Sequence, residues 1–234
     1  MSYGMQDILD EASRTLGSKW TIRSGLKVPD TSDLRLNTDA VQIEGAVLYA
    51  DLKRSSDLVR RTEAEQVARY YKVFLSSACD VLRNNDGTIT SFDGDRVMAV
   101  FIGNRKCSNS AKAALQLHAM VLKLNELIGQ KTLSSFRIDY AAGVDVSDLF
   151  VIRTGIRGSN YLAWIGEAAN NAAKLAEIRD QEGPSFITER LFGRLNDESK
   201  YKVASSKDGL MWRATNVCVQ GQKVYESSFR WNFK

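Results

Sequence analysis

Apolar positions along this chain recur at two spacings, and the two alternate. Between residues 5 and 17, Met5, Ile8, Leu9, Ala12 and Leu16 fall at three- and four-residue steps and Gly17 closes the run, which predicts a short amphipathic helix. Residues 18–40 are mixed, hold Pro29 and read as a connector, so residues 1–40 form an N-terminal arm that either covers the core or meets a second subunit. Ala46 to Ala50 is an unbroken apolar run after Gly45, the mark of a buried strand, and Asp51 stands at its end. From Glu63 to Arg83, Val67, Tyr70, Tyr71, Phe74, Leu75, Ala78 and Leu82 return to the helical spacing, and Asn84-Asn85-Asp86-Gly87 breaks it. Thr88 to Phe92, a turn at Asp93-Gly94 and the apolar run Val97 to Ile102 predict a hairpin, with Asp95 at the foot of its second strand. A second long helix follows over residues 108–128, then strands over Phe136 to Val144 and Leu149 to Arg153. A glycine-punctuated loop from Gly155 to Gly166 and a helix from Glu167 to Arg179 come next. Ser185 to Lys234 alternates polar and apolar residues and reads as β-rich. The whole is an α/β (α+β) sandwich, helices packed on a sheet.

Composition narrows the chemistry. With 234 residues, 44% hydrophobic and 26% charged, the chain can bury one sizeable core. Its net charge of +4 is scattered among acids, which suits a small anionic ligand at least as well as a nucleic acid, so charge leaves both open; from the chain as a whole no nucleic-acid partner is expected. The single histidine, His118, lies on the apolar side of the second long helix and reads as a partly buried, satisfied side chain, so a histidine triad or histidine-rich zinc site lacks material. Three cysteines, Cys79, Cys107 and Cys218, are far apart and odd in number, which argues against a disulfide framework and for a reducing compartment. The first residues are acidic and lack an apolar signal core, and no run reaches the length of a membrane span, so a cytoplasmic protein without a membrane partner is expected.

Asp51 and Asp95, 44 residues apart, each stand at an end of an apolar strand. If those strands are neighbours, the two carboxylates meet, and such a pair with no histidine or cysteine beside it prefers hard cations such as Mg²⁺ or Mn²⁺. Two such ions about 3.5–4 Å apart clamp in-line attack at phosphorus. Lys53-Arg54-Ser55-Ser56 follows Asp51 as a turn of hydroxyls and cations opening a helix, a place for phosphate. Asn170 and Lys174, at i and i+4, share a helix face from which an amide and a cation project together. Each feature has a plain reading too: an aspartate as turn former or helix cap, and a solvated helix face.

Three blocks make the pattern specific. V47-L-Y-A-D51-L-K-R-S-S56, G94-D95-R-V-M98-A-V-F101 and I165-G-E-A-A-N170-N-A-A-K174-L175 resemble, in order and spacing, the two metal blocks and the third block of the class III nucleotidyl cyclases, the family of adenylate and guanylate cyclase catalytic domains. The resemblance implies a ferredoxin-like catalytic domain over residues 41–190 with a mainly antiparallel sheet, and residues 191–234 as a β-rich cap of the same domain. It implies two Mn²⁺ or Mg²⁺ ions per site at Asp51, Leu52 and Asp95, a ribose-orienting Asn170 and a transition-state cation at Lys174. It further implies a head-to-tail homodimer in which Asp51 and Asp95 of one subunit complete a site with Asn170 and Lys174 of the other, and a nucleoside triphosphate as substrate. Where the family has G-F-T this chain has Arg54, Ser55 and Ser56, and Lys174 replaces an arginine. The purine-reading lysine and its partner are Ser91 and Ala163, so the purine code is absent. Tyr49, on the same strand face as Asp51, and Arg96 are candidate base readers. These departures resemble the pyrimidine cyclases of bacterial anti-phage Pycsar systems, which make cyclic UMP or cyclic CMP as an alarm signal. The expectation is UTP ahead of CTP and ATP. A degenerate domain that only binds nucleotide stays open on Lys174 and Ala163, whereas a palm like that of diguanylate cyclases would need a GG(D/E)EF-type turn that Phe92-Asp93-Gly94-Asp95 does not match.

Overall fold

The computed structural model describes residues 4–132, 136–156 and 159–233. In chain order its elements are α1 (Met5–Gly17), β1 (Thr21–Ser24), β2 (Asp39–Leu52), α2 (Ser55–Arg61), α3 (Ala64–Arg83), β3 (Thr88–Asp93), β4 (Arg96–Phe101), α4 (Lys106–Lys131), β5 (Tyr140–Ile156), β6 (Ser159–Ile165), α5 (Glu167–Ala176), β7 (Ser185–Thr188), α6 (Glu189–Gly193), α7 (Asp197–Lys200), β8 (Tyr201–Val203), β9 (Asp208–Leu210), β10 (Arg213–Val219) and β11 (Gln222–Ser227).

The sheet runs β10-β11-β7-β5-β2-β4-β3, with β1 added to the start of β2 and β6 to the far half of β5. Every pairing in it is antiparallel except β5 with β7 and β1 with β2. β2 lies between β5 and β4 and is buried on both faces, which is why its sequence reads as a continuous apolar run. Ala46, Leu48, Ala50 and Leu52 pack with Phe74 and Leu82 of α3 and Leu115 and Leu117 of α4. Val41, Ile43, Val47 and Tyr49 face the other way, toward Ala168, Ala169 and Ala172 of α5. That helix lies directly on backbone: a Cβ at Gly143 of β5 would meet the Ala172 carbonyl oxygen at 2.3 Å.

The predicted helices and hairpin form close to their expected bounds, and α5 stops at Ala176, short of Arg179. Four expectations need correction. The connector contains a strand, β1, whose four residues are too few to show a period. The two strands placed on either side of residues 145–148 are one, β5, which starts at Tyr140. Its polar middle looks like a break, yet Asp145 is wholly buried and fully bonded there. The glycine-punctuated loop is mostly the β5/β6 hairpin, residues 157–158 lying outside the described residues. Gly155 and Gly166 serve close backbone approach, since a Cβ on either would meet a carbonyl oxygen at 2.5 Å. The C-terminal region holds two short helices besides strands, capped where Thr188 accepts from Leu191 N and Asn196 from Ser199 N.

α1 forms as its spacing predicts, but none of its described residues is buried, and Met5, Ile8, Leu9 and Leu16 are exposed. α1 therefore does not cover the core of its own chain, whereas the connector does: Leu34 is buried with Val41, Val47 and Leu149, and Val28 packs against them. His118 sits partly buried with Nδ1 3.3 Å from the Phe229 carbonyl oxygen, and burial lowers its pKa. Among the described residues no helix is long and apolar enough to cross a membrane.

Candidate active site

The antiparallel register of β2 with β4 sets Asp51 directly opposite Arg96, so Asp95, one residue earlier in the β3/β4 turn, reaches the same end of the sheet. Asp51 is only 5% exposed. Its Oδ2 accepts from Arg96 Nη2 at 3.2 Å and from Arg179 Nη2 at 3.1 Å. Burial pushes the Asp51 carboxyl above its ordinary range; bonding to Arg96 and Arg179 opposes that shift, and the charge of Asp95 adds to it. Asp95 Oδ2 is itself buried, and among the described residues no donor reaches it. A buried carboxylate oxygen without a partner is costly unless something positive comes to it.

The donor set decides what fits. Buried Asp51 and half-buried Asp95, with no nitrogen or sulfur ligand offered, suit a hard divalent cation. Among the described residues no group of three or more His, Cys, Asp or Glu side chains converges, so main-chain or ligand oxygens would have to complete the shell. Leu52, next in the chain and buried, pairs with Tyr140 of β5 and keeps this backbone fixed.

Arg96 joins this acidic end to a hollow. It also donates to Glu177 at 3.1 Å, and its guanidinium lies 5.8 Å from the centroid of the Tyr49 ring. Burial opposes its charge, but the two carboxylates outweigh burial and raise its pKa. Arg96, Tyr49, Ser91, Ala163 and Asn170 line one cavity of about 640 Å³. Five sequence-predicted residues from five elements, β2, β3, β4, β6 and α5, thus converge. Burial raises the Tyr49 phenol pKa, which keeps it a hydrogen-bond donor. A larger hollow of about 760 Å³ beside the C-terminal segment, lined by Lys112, Tyr201 and Trp231, holds none of these groups.

The remaining predicted residues lie apart from the cavity. Lys174 is exposed, one turn beyond Asn170 on α5. Ser55 and Ser56 open α2, a helix of only seven residues, and Arg54 precedes it at φ 58°. That left-handed conformation costs a residue with a side chain about 1–2 kcal/mol, and it falls where the resembling motif has glycine. α5 is held on the sheet by buried Asp145, which accepts from Asn171 Nδ2 at 2.8 Å, Thr188 Oγ1 at 2.5 Å and Arg190 Nη2 at 2.5 Å.

Three groups escaped the sequence reading. Arg179 lies beyond α5 in no motif. Tyr71, read as a core position, has a phenol whose pKa is raised by burial and then by Asp95 and Asp51, with Ser55 bonding opposing. Trp164 lines the cavity and has a buried indole N–H with no partner among the described residues. No spacing rule would have found Arg179, because its only link to Asp51 is tertiary.

No family model matches the chain. It is 39% identical over 228 residues to a uridylate cyclase of Burkholderia cepacia, covering 96% of this chain and 97% of that one. It is 36% identical over 231 residues to a uridylate cyclase of Rhodovulum sp. (strain MB263), covering 95% of each, and 37% identical over 219 residues to one of Xanthomonas perforans, covering 91% of each. Among solved structures, the adenylyl cyclase CyaB from P. aeruginosa superposes with a TM-score of 0.65 at 17% identity, over 80% of this chain and 95% of that one. A guanylate cyclase domain from Catenaria anguillulae in complex with GTP gives 0.63 at 12% identity, over 80% and 97%. At those identities the structural likeness speaks for the fold.

Proposed function

Because this chain belongs to the uridylate cyclases, a family of nucleotidyl cyclases, we propose that it converts UTP to 3′,5′-cyclic UMP and pyrophosphate. Asp51 and Asp95, with the Leu52 segment beside them, would hold two Mn²⁺ or Mg²⁺ ions, which when bound supply positive charge to the triphosphate and acidify the ribose 3′-hydroxyl. The observation that carries this reading is the buried Oδ2 of Asp95, without a partner among the described residues, beside buried Asp51, which Arg96 links to a cavity of nucleotide size.

The chain's own side chains do the rest. Tyr49 narrows the cavity and favours a one-ring base, while Ser91 and Ala163 offer none of the charge that reads a purine. Arg96 lines the same cavity and fixes how deep the nucleotide sits. In a head-to-tail homodimer with two sites, Asn170 of one subunit, lining that subunit's cavity, orients the sugar and its Lys174 offsets charge developing at phosphorus, against Asp51 and Asp95 of the other subunit. O3′ attacks the α-phosphorus in line, the bond to the bridging oxygen breaks and pyrophosphate leaves. We read the product as an alarm nucleotide of anti-phage defence, made in the cytoplasm.

Purified protein incubated with Mn²⁺ and each of the four NTPs, with products identified by mass, should give cyclic UMP as the main product. Asp51→Ala and Asp95→Ala should each lower turnover at least about 100-fold, and ordinary turnover in either refutes the assignment. Mixing inactive Asp51→Ala with inactive Asn170→Ala should restore activity, because a mixed dimer carries one intact site. No recovery after verified subunit exchange argues against a shared site.

A further inference from the structure

Arg179 approaches the acidic sheet end from beyond the C-terminus of α5. Its Nη1 donates to the Ala176 carbonyl at 2.7 Å and to the Ile178 carbonyl at 3.3 Å, closing carbonyls that a helix end leaves open. Nη2 is thereby aimed at Asp51 Oδ2. Arg96 donates to the same oxygen, so two guanidinium groups share one carboxylate oxygen. Arg96 has Glu177 as a second anion; among the described residues Arg179 pairs with Asp51 alone. Ala141, across from Asp51 in the β5 register, presents only a methyl group there. The Arg179 side chain is 36% exposed, so its tip is free to swing without disturbing the core.

A divalent cation at Asp51 would compete with Arg179 for that oxygen and repel the guanidinium. Its anchor at the helix end keeps it near the sheet end, away from the base cavity. The anion it meets there is then the polyphosphate, which a guanidinium fork matches well. We propose that Arg179 guards Asp51 in the empty chain and passes to the triphosphate when the cation and nucleotide arrive. This rests on the metal-and-triphosphate reading above and adds a substrate-binding residue to it.

The two roles have opposite signs, which sets them apart from a structural ion pair. In the full-length protein without nucleotide, Mn²⁺ binding followed by electron paramagnetic resonance of the free ion should tighten about fivefold in Arg179→Ala, since one competing charge pair is lost. In turnover assays the same variant should raise the KM for UTP about tenfold with a smaller change in kcat, and Arg179→Lys should recover part of that loss. Mn²⁺ affinity unchanged or weakened in Arg179→Ala, or an unchanged KM, overturns the proposal. If neither the parent chain nor Arg179→Ala binds Mn²⁺, the metal assignment itself fails and this inference falls with it.

Discussion

Placing one methyl group at Gly143 should dislodge α5, the helix that carries Asn170 and Lys174. Gly143 pairs with Tyr49 across β2 and β5. A Cβ there would lie 2.3 Å from the Ala172 carbonyl oxygen, 2.4 Å from Leu175 Cβ and 2.6 Å from Ala176 N. Two of those atoms are α5 backbone, so no rotamer change relieves the clash. Restoring an ordinary contact of about 3.4 Å requires α5 to retreat by about 1 Å. The bond from Asn171 to buried Asp145 and the packed Ala168 and Ala172 resist that movement. Overpacking of this kind costs about 1–3 kcal/mol, here toward the upper end. Alanine's smaller unfolded-state entropy returns about 0.4–1 kcal/mol. The net loss for Gly143→Ala is about 2 kcal/mol, or a Tm lower by about 4–8 °C for a chain of this size. Asn170 and Lys174 ride on the displaced helix, and an error of about 1 Å in a positioning group costs about 100-fold in rate. Urea unfolding followed by circular dichroism and UTP turnover with Mn²⁺ measure the two effects. A variant as stable as the parent and equally active would show that α5 is not seated on this glycine.

Two further outcomes follow from buried charge. Asp145→Ala leaves Asn171 and Thr188 without their acceptor and Arg190 with Glu167 alone, so it should cost about 3–5 kcal/mol, read from denaturant midpoints; a loss under about 1 kcal/mol contradicts the network's role in holding α5. Burial raises the Asp51 pKa above its ordinary 3.8, so the cation-free fold keeps a proton that the unfolded chain has already released. Stability from this group is full below about pH 4 and is lost as pH rises through the raised value. Asp51→Asn should flatten that decline in urea midpoints measured from about pH 4 to about pH 8, and parallel profiles for the two proteins would count against it.

Long periodic segments were the most legible part of the fold. α3 and α4 declare themselves because many apolar residues at helical steps each face one sheet, and β3 and β4 because Asp93-Gly94 permits a tight reversal, Gly94 taking φ 58°. The β5/β6 hairpin was obscured because glycines needed for close approach resemble glycines that end elements. β5 was cut in two because a buried charged residue, satisfied by Asn171, Thr188 and Arg190, looks locally like a turn former. α1 shows the opposite case: its amphipathic pattern is plain, but a pattern specifies only that a face wants cover and names no partner for it.

By itself the sequence determined the long helices α3 and α4, the β3/β4 hairpin and the two acids beside strand ends, since spacing and local preference act within a few residues. It also carried two uncharged cavity-lining positions, Ser91 and Ala163, because a motif fixes which positions those are. Only the tertiary structure decided that Asp51 and Asp95 share one sheet end, through the β2/β4 register. It alone supplied Arg179, the oxygen of Asp95 that has no partner among the described residues, and the seat of α5 on Gly143. Those are contacts between residues tens of positions apart, set by strand pairing and helix packing, and no local pattern encodes them.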